Sequence, residues 1–279
     1  MKISNVEVKD LVNTYGSPLY VYDQRMIEDK LNAFKTCLKS SEIDCDVIYA
    51  SKAFNCKAMI QLVSKMDCSL DVVSGGELFT AYVAGFDMNR VYFHGNNKSM
   101  DELKLALKYK VGTIIVDNLM EARLLSELAK NLDYTVSILL RVNPGIEAHT
   151  HEYIVTANID SKFGISIEKK SDILELIQII NSCPNLSFDG FHAHIGSQIF
   201  DKEAFVQEVN KMCEFVSNLG VEVSTLNFGG GFGAVYTSED TPIPVDVVCD
   251  TLIEAMKCNK EKYALNINKI CIEPGRSIV

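Results

Sequence analysis

The chain has 279 residues, of which 47% are hydrophobic and 23% are charged, a balance that excludes a disordered or fibrous protein. The formal net charge is −10, so a broad basic surface for nucleic acid is not expected. No apolar run reaches the roughly 20 residues that span a bilayer, and the N-terminus lacks the apolar stretch of a secretory signal.

The first 23 residues do not follow the pattern of the rest of the chain. Residues 18–22 are predicted to form a strand, for which no other segment offers an obvious partner. A helix is predicted over 25–38, before the regular alternation of strands and helices begins.

Eight short apolar or β-branched runs are predicted to be strands, and most end at a Gly, Ser, Asn or Pro breaker. They cover 47–50, 70–73, 91–94, 113–116, 136–142, 188–195, 225–228 and 270–272. Amphipathic stretches between them predict helices over 58–66, 99–107, 119–130, 173–180, 205–219 and 245–256. Eight such repeats favour a closed (β/α)8 barrel over an open α/β sheet, and the helix over 25–38 would complete its outer ring.

Barrel enzymes place their active sites at the C-terminal ends of the strands, where this chain concentrates polar side chains. Lys52 follows the first strand; it could simply point to solvent, or its amine could form a Schiff base in a desolvated mouth. The glycines 229–231 follow the seventh strand, a common phosphate site in barrels. Glu273 and Arg276 follow the eighth strand and could pair, or could bind a ring nitrogen and an anion.

His192 and His194 point to the same side of their strand because they are two residues apart. They could be core histidines, a metal pair, or include one ring that stacks on a cofactor. The positive charges of Lys52 and Arg141 argue against a metal. A lysine, a phosphate loop, a carboxylate for a ring nitrogen and a stacking histidine together indicate pyridoxal 5′-phosphate.

Eight motifs run through the whole chain: YASKA at 49–53, DVVSGGE at 71–77, RVNPG at 141–145, HTHEY at 149–153, SKFG at 161–164, HIGSQ at 194–198, GGGFG at 229–233 and EPGR at 273–276. With them the chain resembles the barrel-fold, alanine-racemase-like class of pyridoxal-phosphate enzymes, and within it the diaminopimelate decarboxylases. The motifs at 149–153 and 194–198 favour these over the ornithine, arginine and carboxynorspermidine decarboxylases.

The resemblance implies an α/β fold, the TIM (β/α)8 barrel of that class, and a role for each motif. Lys52 would bind the cofactor as a Schiff base, His194 would stack on its ring and Glu273 would hydrogen-bond its ring nitrogen, which makes these three the expected catalytic residues. The remaining residues expected near the cofactor are Ser197, Gly229, Gly230, Gly231, Gly275 and Arg276 around the phosphate, with Arg276 also close to the substrate, and Asp71, Arg141 and Lys162 at motif positions without an assigned step.

The reaction that the resemblance implies is the decarboxylation of meso-2,6-diaminopimelate to L-lysine, the last step of lysine biosynthesis. We expect it in a cytoplasmic homodimer without a metal, a nucleic acid or a membrane partner. The alternatives are a decarboxylase of another basic amino acid, a non-catalytic pyridoxal-phosphate-binding barrel, and a metal-dependent hydrolase that uses His192 and His194.

Members of this family are longer and carry a second, mostly β domain after the EPGR motif. We therefore expect a C-terminally truncated chain in which residues 24–279 form the cofactor-binding barrel and residues 1–23 contribute a strand to the absent β domain. On its own such a chain is expected to be nearly inactive and poorly stable. Normal release of carbon dioxide from diaminopimelate would contradict that expectation.

Overall fold

The computed structural model describes residues 1–39, 43–146 and 163–279. The N-terminal segment forms a short antiparallel pair, β1 (Lys2–Ile3) and β2 (Val6–Glu7), followed by helix α1 (Val8–Tyr15). Residues 18–22 belong to no strand among the described residues, so the strand predicted there is not formed. A strand needs a hydrogen-bonded neighbour, and this segment is instead anchored by Tyr22, whose ring stacks on Phe54 with centroids 3.9 Å apart.

Parallel strands make up the centre of the molecule. They are β3 (Asp44–Ala50), β4 (Ser69–Val72), β5 (Val91–Phe93), β6 (Thr113–Val116), β7 (Val136–Asn143), β8 (Ile165–Ser166), β9 (Leu186–His192), β10 (Thr225–Asn227) and β11 (Lys269–Ile272). All except the short β8, which pairs with the end of β7, join in the ring β3–β4–β5–β6–β7–β9–β10–β11, and β11 pairs with β3. The predicted barrel of eight parallel strands is confirmed.

Helices surround the barrel and connect successive strands. They are α2 (Gln24–Leu38), α3 (Lys57–Lys65), α4 (Gly75–Val83), α5 (Met100–Lys108), α6 (Leu119–Ala129), α7 (Lys170–Asn181), α8 (Lys202–Leu219) and α9 (Val245–Tyr263). Helix α2 packs against α9 and β3, so it completes the outer ring as predicted. Within the described part of the chain, none of the helices has the length and apolar character needed to cross a membrane.

The core has two parts, one on each side of the strands. Outside the barrel, side chains such as Leu31, Phe34 and Phe191 are buried between strands and helices. Inside it, a separate apolar layer fills the lumen and consists of Ile48, Tyr92, Ile115, Leu139 and Cys271. The polar residues at the C-terminal ends of the strands lie directly above this inner apolar layer.

Candidate active site

A polar layer closes the C-terminal end of the barrel directly above the inner apolar layer. Side chains in a strand alternate between faces, so the residue two positions after an inward-facing one also points inward. His94 therefore follows Tyr92, Asp117 follows Ile115, Arg141 follows Leu139 and Glu273 follows Cys271. The two-residue alternation of each strand thus places an apolar side chain in the inner layer and a polar side chain directly above it.

Glu273 is at the centre of this layer, and three side chains are directed at its carboxylate. Asn227 donates a hydrogen bond from Nδ2 to Glu273 Oε1 over 2.7 Å. His94 Nε2 lies 3.0 Å from Oε1, and His192 Nε2 lies 3.4 Å from Oε2. Burial by itself would raise the pKa of Glu273, but the interactions with His94 and His192 hold that pKa well below its usual value. The carboxylate is therefore ionised although it is buried.

Lys52 and Asp71 form the second part of the layer. Lys52 lies in a single 3-10 turn, Ser51–Ala53, directly after β3, and its Nζ is 3.7 Å from Asp71 Oδ2. The Asp71 side chain is fully buried, whereas that of Lys52 is 55% exposed. Burial raises the pKa of Asp71 despite the nearby charges of His94 and Lys52. The Lys52 amine, at the open end of the barrel, thus lies beside the buried Asp71 carboxyl group, which binds a proton more tightly than an ordinary aspartate does.

The glycine loop after β10 packs so closely that side chains would not fit. A Cβ atom on Gly230 would lie 2.1 Å from the carbonyl oxygen of Glu273, and Gly231 has a φ of +92°. The Gly230 N–H donates to His194 Nδ1 over 3.3 Å, which fixes the plane of the imidazole. Burial, together with the charge of Lys52, lowers the pKa of His194 to about 4, so this ring is neutral near pH 7.

The loop also differs in one respect from the expectation that its backbone N–H groups wrap an anion. Gly229 N–H donates to Asn227 Oδ1 over 2.9 Å, and Gly230 N–H donates to His194. These two N–H groups therefore hold neighbouring side chains in place. Glycine is needed here because the loop passes very close to the backbone of β11.

A cavity of about 510 Å³ opens above these groups and contains most of the predicted site residues. Its lining includes Lys52, His194, Ser197, Gly230, Gly231, Glu273, Gly275 and Arg276. Two tyrosines that the sequence did not single out for the site, Tyr22 and Tyr236, also line it. Arg276 is exposed at the rim and donates from Nη1 to Tyr236 Oη over 2.9 Å. The predicted cluster is thus one continuous pocket.

The other predicted site residues lie beside or beneath this cavity. Gly229 is buried behind it, and Asp71 lies below Lys52. Arg141 lines a neighbouring cavity of about 310 Å³ together with His194 and Ser197. Its Nε is 3.9 Å from Asp117 Oδ1. Lys162 and the motif at 149–153 lie outside the described residues.

Three functional candidates had no assigned role from the sequence: His94, Asp117 and Asn227. Each is a polar residue at the end of an apolar strand; His94 and Asp117 lie two positions after an inward-facing residue, and Asn227 lies two positions before the glycine loop. This pattern in the sequence could have indicated that the three residues lie at the C-terminal end of the barrel. The partner of each, however, comes from a different strand, and the sequence does not show the register between strands.

The alternative of a metal pair formed by His192 and His194 is not supported. His192 faces Glu273, whereas His194 Nδ1 accepts from Gly230. Among the described residues, the group with metal-ligand spacing is His94, His192 and Glu273. The Asn227 amide also donates to a Glu273 oxygen, so hydrogen-bond donors already surround this carboxylate.

Comparison with known proteins places this site in context. The family model described as "Pyridoxal-dependent decarboxylase, pyridoxal binding domain" matches residues 24–279. The diaminopimelate decarboxylase of Bacillus subtilis (strain 168) is 44% identical over 283 residues, which cover 100% of this chain and 64% of that protein. The diaminopimelate decarboxylase of Bacillus methanolicus is also 44% identical, over 100% of this chain and 65% of its own length.

Solved structures that resemble this chain are also diaminopimelate decarboxylases. A crystal structure of diaminopimelate decarboxylase from M. jannaschii superposes with a TM-score of 0.90 at 30% identity, covering 100% of this chain and 65% of that one. A second crystal structure of that enzyme is a co-complex with L-lysine and superposes with a TM-score of 0.89 at the same identity and coverage. The chain thus spans a little under two thirds of the length of these relatives.

Proposed function

The chain belongs to the pyridoxal-dependent decarboxylase family, with residues 24–279 matching its pyridoxal-binding domain, and we propose that it serves the decarboxylation of meso-2,6-diaminopimelate to L-lysine and carbon dioxide. Support comes from relatives of that activity that align with the whole chain. A structural neighbour in complex with L-lysine adds to it, because lysine would be the product of the proposed reaction.

The observation that carries the proposal is the buried, ionised Glu273 in one cavity with Lys52. When bound, pyridoxal phosphate supplies a protonated ring that withdraws electrons from the carbon that loses its carboxylate. A carboxylate held ionised beside the ring nitrogen favours that protonated form. Glu273 fits this role because the neighbouring histidines lower its pKa.

The remaining predicted residues each have a role in this proposal. Lys52 would attach the cofactor through its amine, and the neutral His194 would lie against the ring. The phosphate would be held by the polar and glycine residues at the other wall of the cavity, with Arg276 also reaching the substrate. These are Ser197, Gly230, Gly231, Gly275 and Arg276, whereas Gly229, buried behind the cavity, would support the loop through the bond from its N–H to Asn227. Asp71 and Arg141 would support the site from below and beside it.

Lys52 must lose a proton before its amine can act as a nucleophile, and must regain it when the substrate displaces it. Asp71 is placed to take and return this proton, since its Oδ2 is 3.7 Å from Lys52 Nζ. Its raised pKa makes it a stronger base than an ordinary aspartate. The substrate would therefore exchange with Lys52 without transfer of the proton to bulk water.

The proposal extends to a cytoplasmic homodimer that binds a small amino-acid substrate and neither nucleic acid nor membrane. The net charge of −10 supports the absence of nucleic acid. A decarboxylase of ornithine, arginine or carboxynorspermidine is the alternative that the experiment has to separate.

The test uses the complete gene product that contains these 279 residues, called the full-length protein below. It is loaded with pyridoxal phosphate, and these amino acids are offered one at a time. We expect carbon dioxide and L-lysine from meso-2,6-diaminopimelate, with much smaller rates on the other substrates. Lys52→Ala should abolish the reaction, whereas Lys65→Ala is the matched control, because Lys65 is an exposed lysine that pairs with Glu28 on the outer helices. Decarboxylation of ornithine or arginine without decarboxylation of diaminopimelate would contradict the proposal.

A further inference from the structure

A row of titratable groups crosses the polar layer from Lys52 to His192. Lys52 Nζ is 3.7 Å from Asp71 Oδ2, and Asp71 Oδ1 is 3.8 Å from His94 Nε2. His94 Nε2 is in turn 3.0 Å from Glu273 Oε1, and Glu273 Oε2 is 3.4 Å from His192 Nε2. One imidazole nitrogen therefore faces two buried carboxyl groups that come from different strands.

Two buried carboxylates that face the same imidazole lower the stability of the folded protein unless neighbouring groups compensate their negative charge. The side chains of Asp71 and Glu273 are 0% and 4% exposed, and that of His94 is 5% exposed. Neither oxygen of Asp71 accepts a hydrogen bond from the described residues. Lys52 and His94 are therefore the groups that balance Asp71, and His94 also faces Glu273.

The titratable and charged groups that surround this position differ in what they can contribute. They are Lys52, Asp71, Arg141, His192, His194 and Glu273. Burial lowers the pKa of His192 to about 3 and that of His194 to about 4, so both rings are neutral near pH 7. Arg141 is directed at Asp117. His94 is left as the imidazole placed between the two carboxyl groups.

We propose that His94 is a positioning residue that bridges Asp71 and Glu273, keeps Glu273 ionised and ties the charge of Glu273 to that of Lys52. The inference rests on the proposed function for its catalytic meaning, since it concerns the group that would face the cofactor's ring nitrogen. Its structural content, that His94 keeps Glu273 ionised, concerns this chain alone.

The consequence is a coupling across the barrel mouth. When Lys52 gives its proton to Asp71, the Asp71 carboxyl group becomes neutral and no longer competes with Glu273 for the His94 imidazole. The charge states of Lys52 and Glu273 should consequently change together with pH.

The experiment compares His94→Phe with His192→Phe in the full-length protein without cofactor. Both variants replace an imidazole that contacts Glu273 by an aromatic ring without a hydrogen-bond donor. Infrared spectra at pH 7 report protonated carboxylic acids. We expect His94→Phe to gain one such signal, which Glu273→Gln removes when combined with it. His192→Phe should gain a clearly smaller one, because the His192 ring is neutral and lies 3.4 Å from the Glu273 carboxylate, against 3.0 Å for His94.

A second readout uses the cofactor. Pyridoxal phosphate should bind His94→Phe about tenfold or more weakly, the size expected from the loss of a charge-assisted contact. The pH dependence of the visible spectrum should shift relative to the unsubstituted protein. His94→Gln, which keeps an N–H donor, should restore part of the affinity. His94→Leu, which has no donor, replaces His94→Phe if that variant fails to fold.

The proposal is overturned if His94→Phe gains no carboxylic-acid signal, if Glu273→Gln leaves that signal unchanged, or if His192→Phe gives the same result. Stoichiometric zinc bound to His94, His192 and Glu273 in the cofactor-free protein would overturn it as well. Failure of the proposed function would appear separately, as absence of lysine production from diaminopimelate by the unsubstituted protein while the infrared result stands.

Discussion

Replacement of Gly230 by alanine tests whether close packing of the glycine loop on β11 shapes the site. The new Cβ would lie 2.1 Å from the carbonyl oxygen of Glu273 and 2.9 Å from its carbonyl carbon. Ordinary contacts of a Cβ atom lie at 3.4–4 Å, so the loop and the end of β11 must separate by more than about 1 Å. Overpacking of this kind costs about 1–3 kcal/mol of stability.

The functional effect should exceed the loss of stability. A displacement of about 1 Å at a group that positions the reacting atoms can lower a rate about 100-fold. Gly230 also donates to His194 and lies against Glu273. The residue that would lie against the cofactor ring and the residue that would face its ring nitrogen would therefore both be displaced. We therefore expect a large loss of pyridoxal phosphate affinity and of decarboxylation.

The assay combines absorbance titration with pyridoxal phosphate and urea unfolding of the cofactor-free protein. Gly76→Ala is the matched control, because its Cβ would find its nearest neighbour, Ser74 Oγ, at 3.8 Å within helix α4. This control should bind the cofactor normally and gain up to about 1 kcal/mol of stability. Normal cofactor binding by Gly230→Ala would refute the reasoning.

Two further predictions concern buried charges away from the cavity. Glu208 on α8 is fully buried and neither of its oxygens has a hydrogen-bond partner among the described residues; burial raises its pKa well above the usual value. Because the folded state binds this proton more tightly than the unfolded chain, its contribution to stability falls as the pH rises above about 4.3. Glu208→Met should remove that dependence and add about 1–3 kcal/mol near pH 7 in urea unfolding; equal or lower stability would contradict this. Lys98→Met should cost about 3–5 kcal/mol in the same measurement, because it leaves Glu121, 2.6 Å away and 5% exposed, as an unpaired buried carboxylate; a loss below about 1 kcal/mol would show that the pair does not act as an ion pair.

Much of the barrel was predictable because its strands are short apolar runs that end at strong breakers. Helix α4 was missed, since its sequence begins with Gly75 and Gly76, which normally interrupt helices. In the structure the Ser74 side chain accepts a hydrogen bond from Glu77 N and provides the start of the helix. Residues 18–22 form no strand in this chain, because a strand needs a hydrogen-bonded neighbour; that residues 1–23 contribute a strand to a further β domain stays a prediction.

The candidate site was predictable to the extent that it lies at strand ends. Lys52, His194 and Glu273 line one cavity for that reason. The contacts of His94 with Asp71 and Glu273 were not predictable, because they join β4, β5 and β11, and their distances depend on the register around the closed ring. The same holds for Asn227, whose amide connects Glu273 to the glycine loop.

The most direct test of the central claim is chemical mapping of the lysine that binds the cofactor. The full-length protein is incubated with pyridoxal phosphate, reduced with borohydride, digested and analysed by mass spectrometry. We predict one pyridoxyl-modified peptide that carries the label on Lys52, and no label in the Lys52→Ala variant. A label on another lysine, or stoichiometric labelling that persists in Lys52→Ala, would contradict the account.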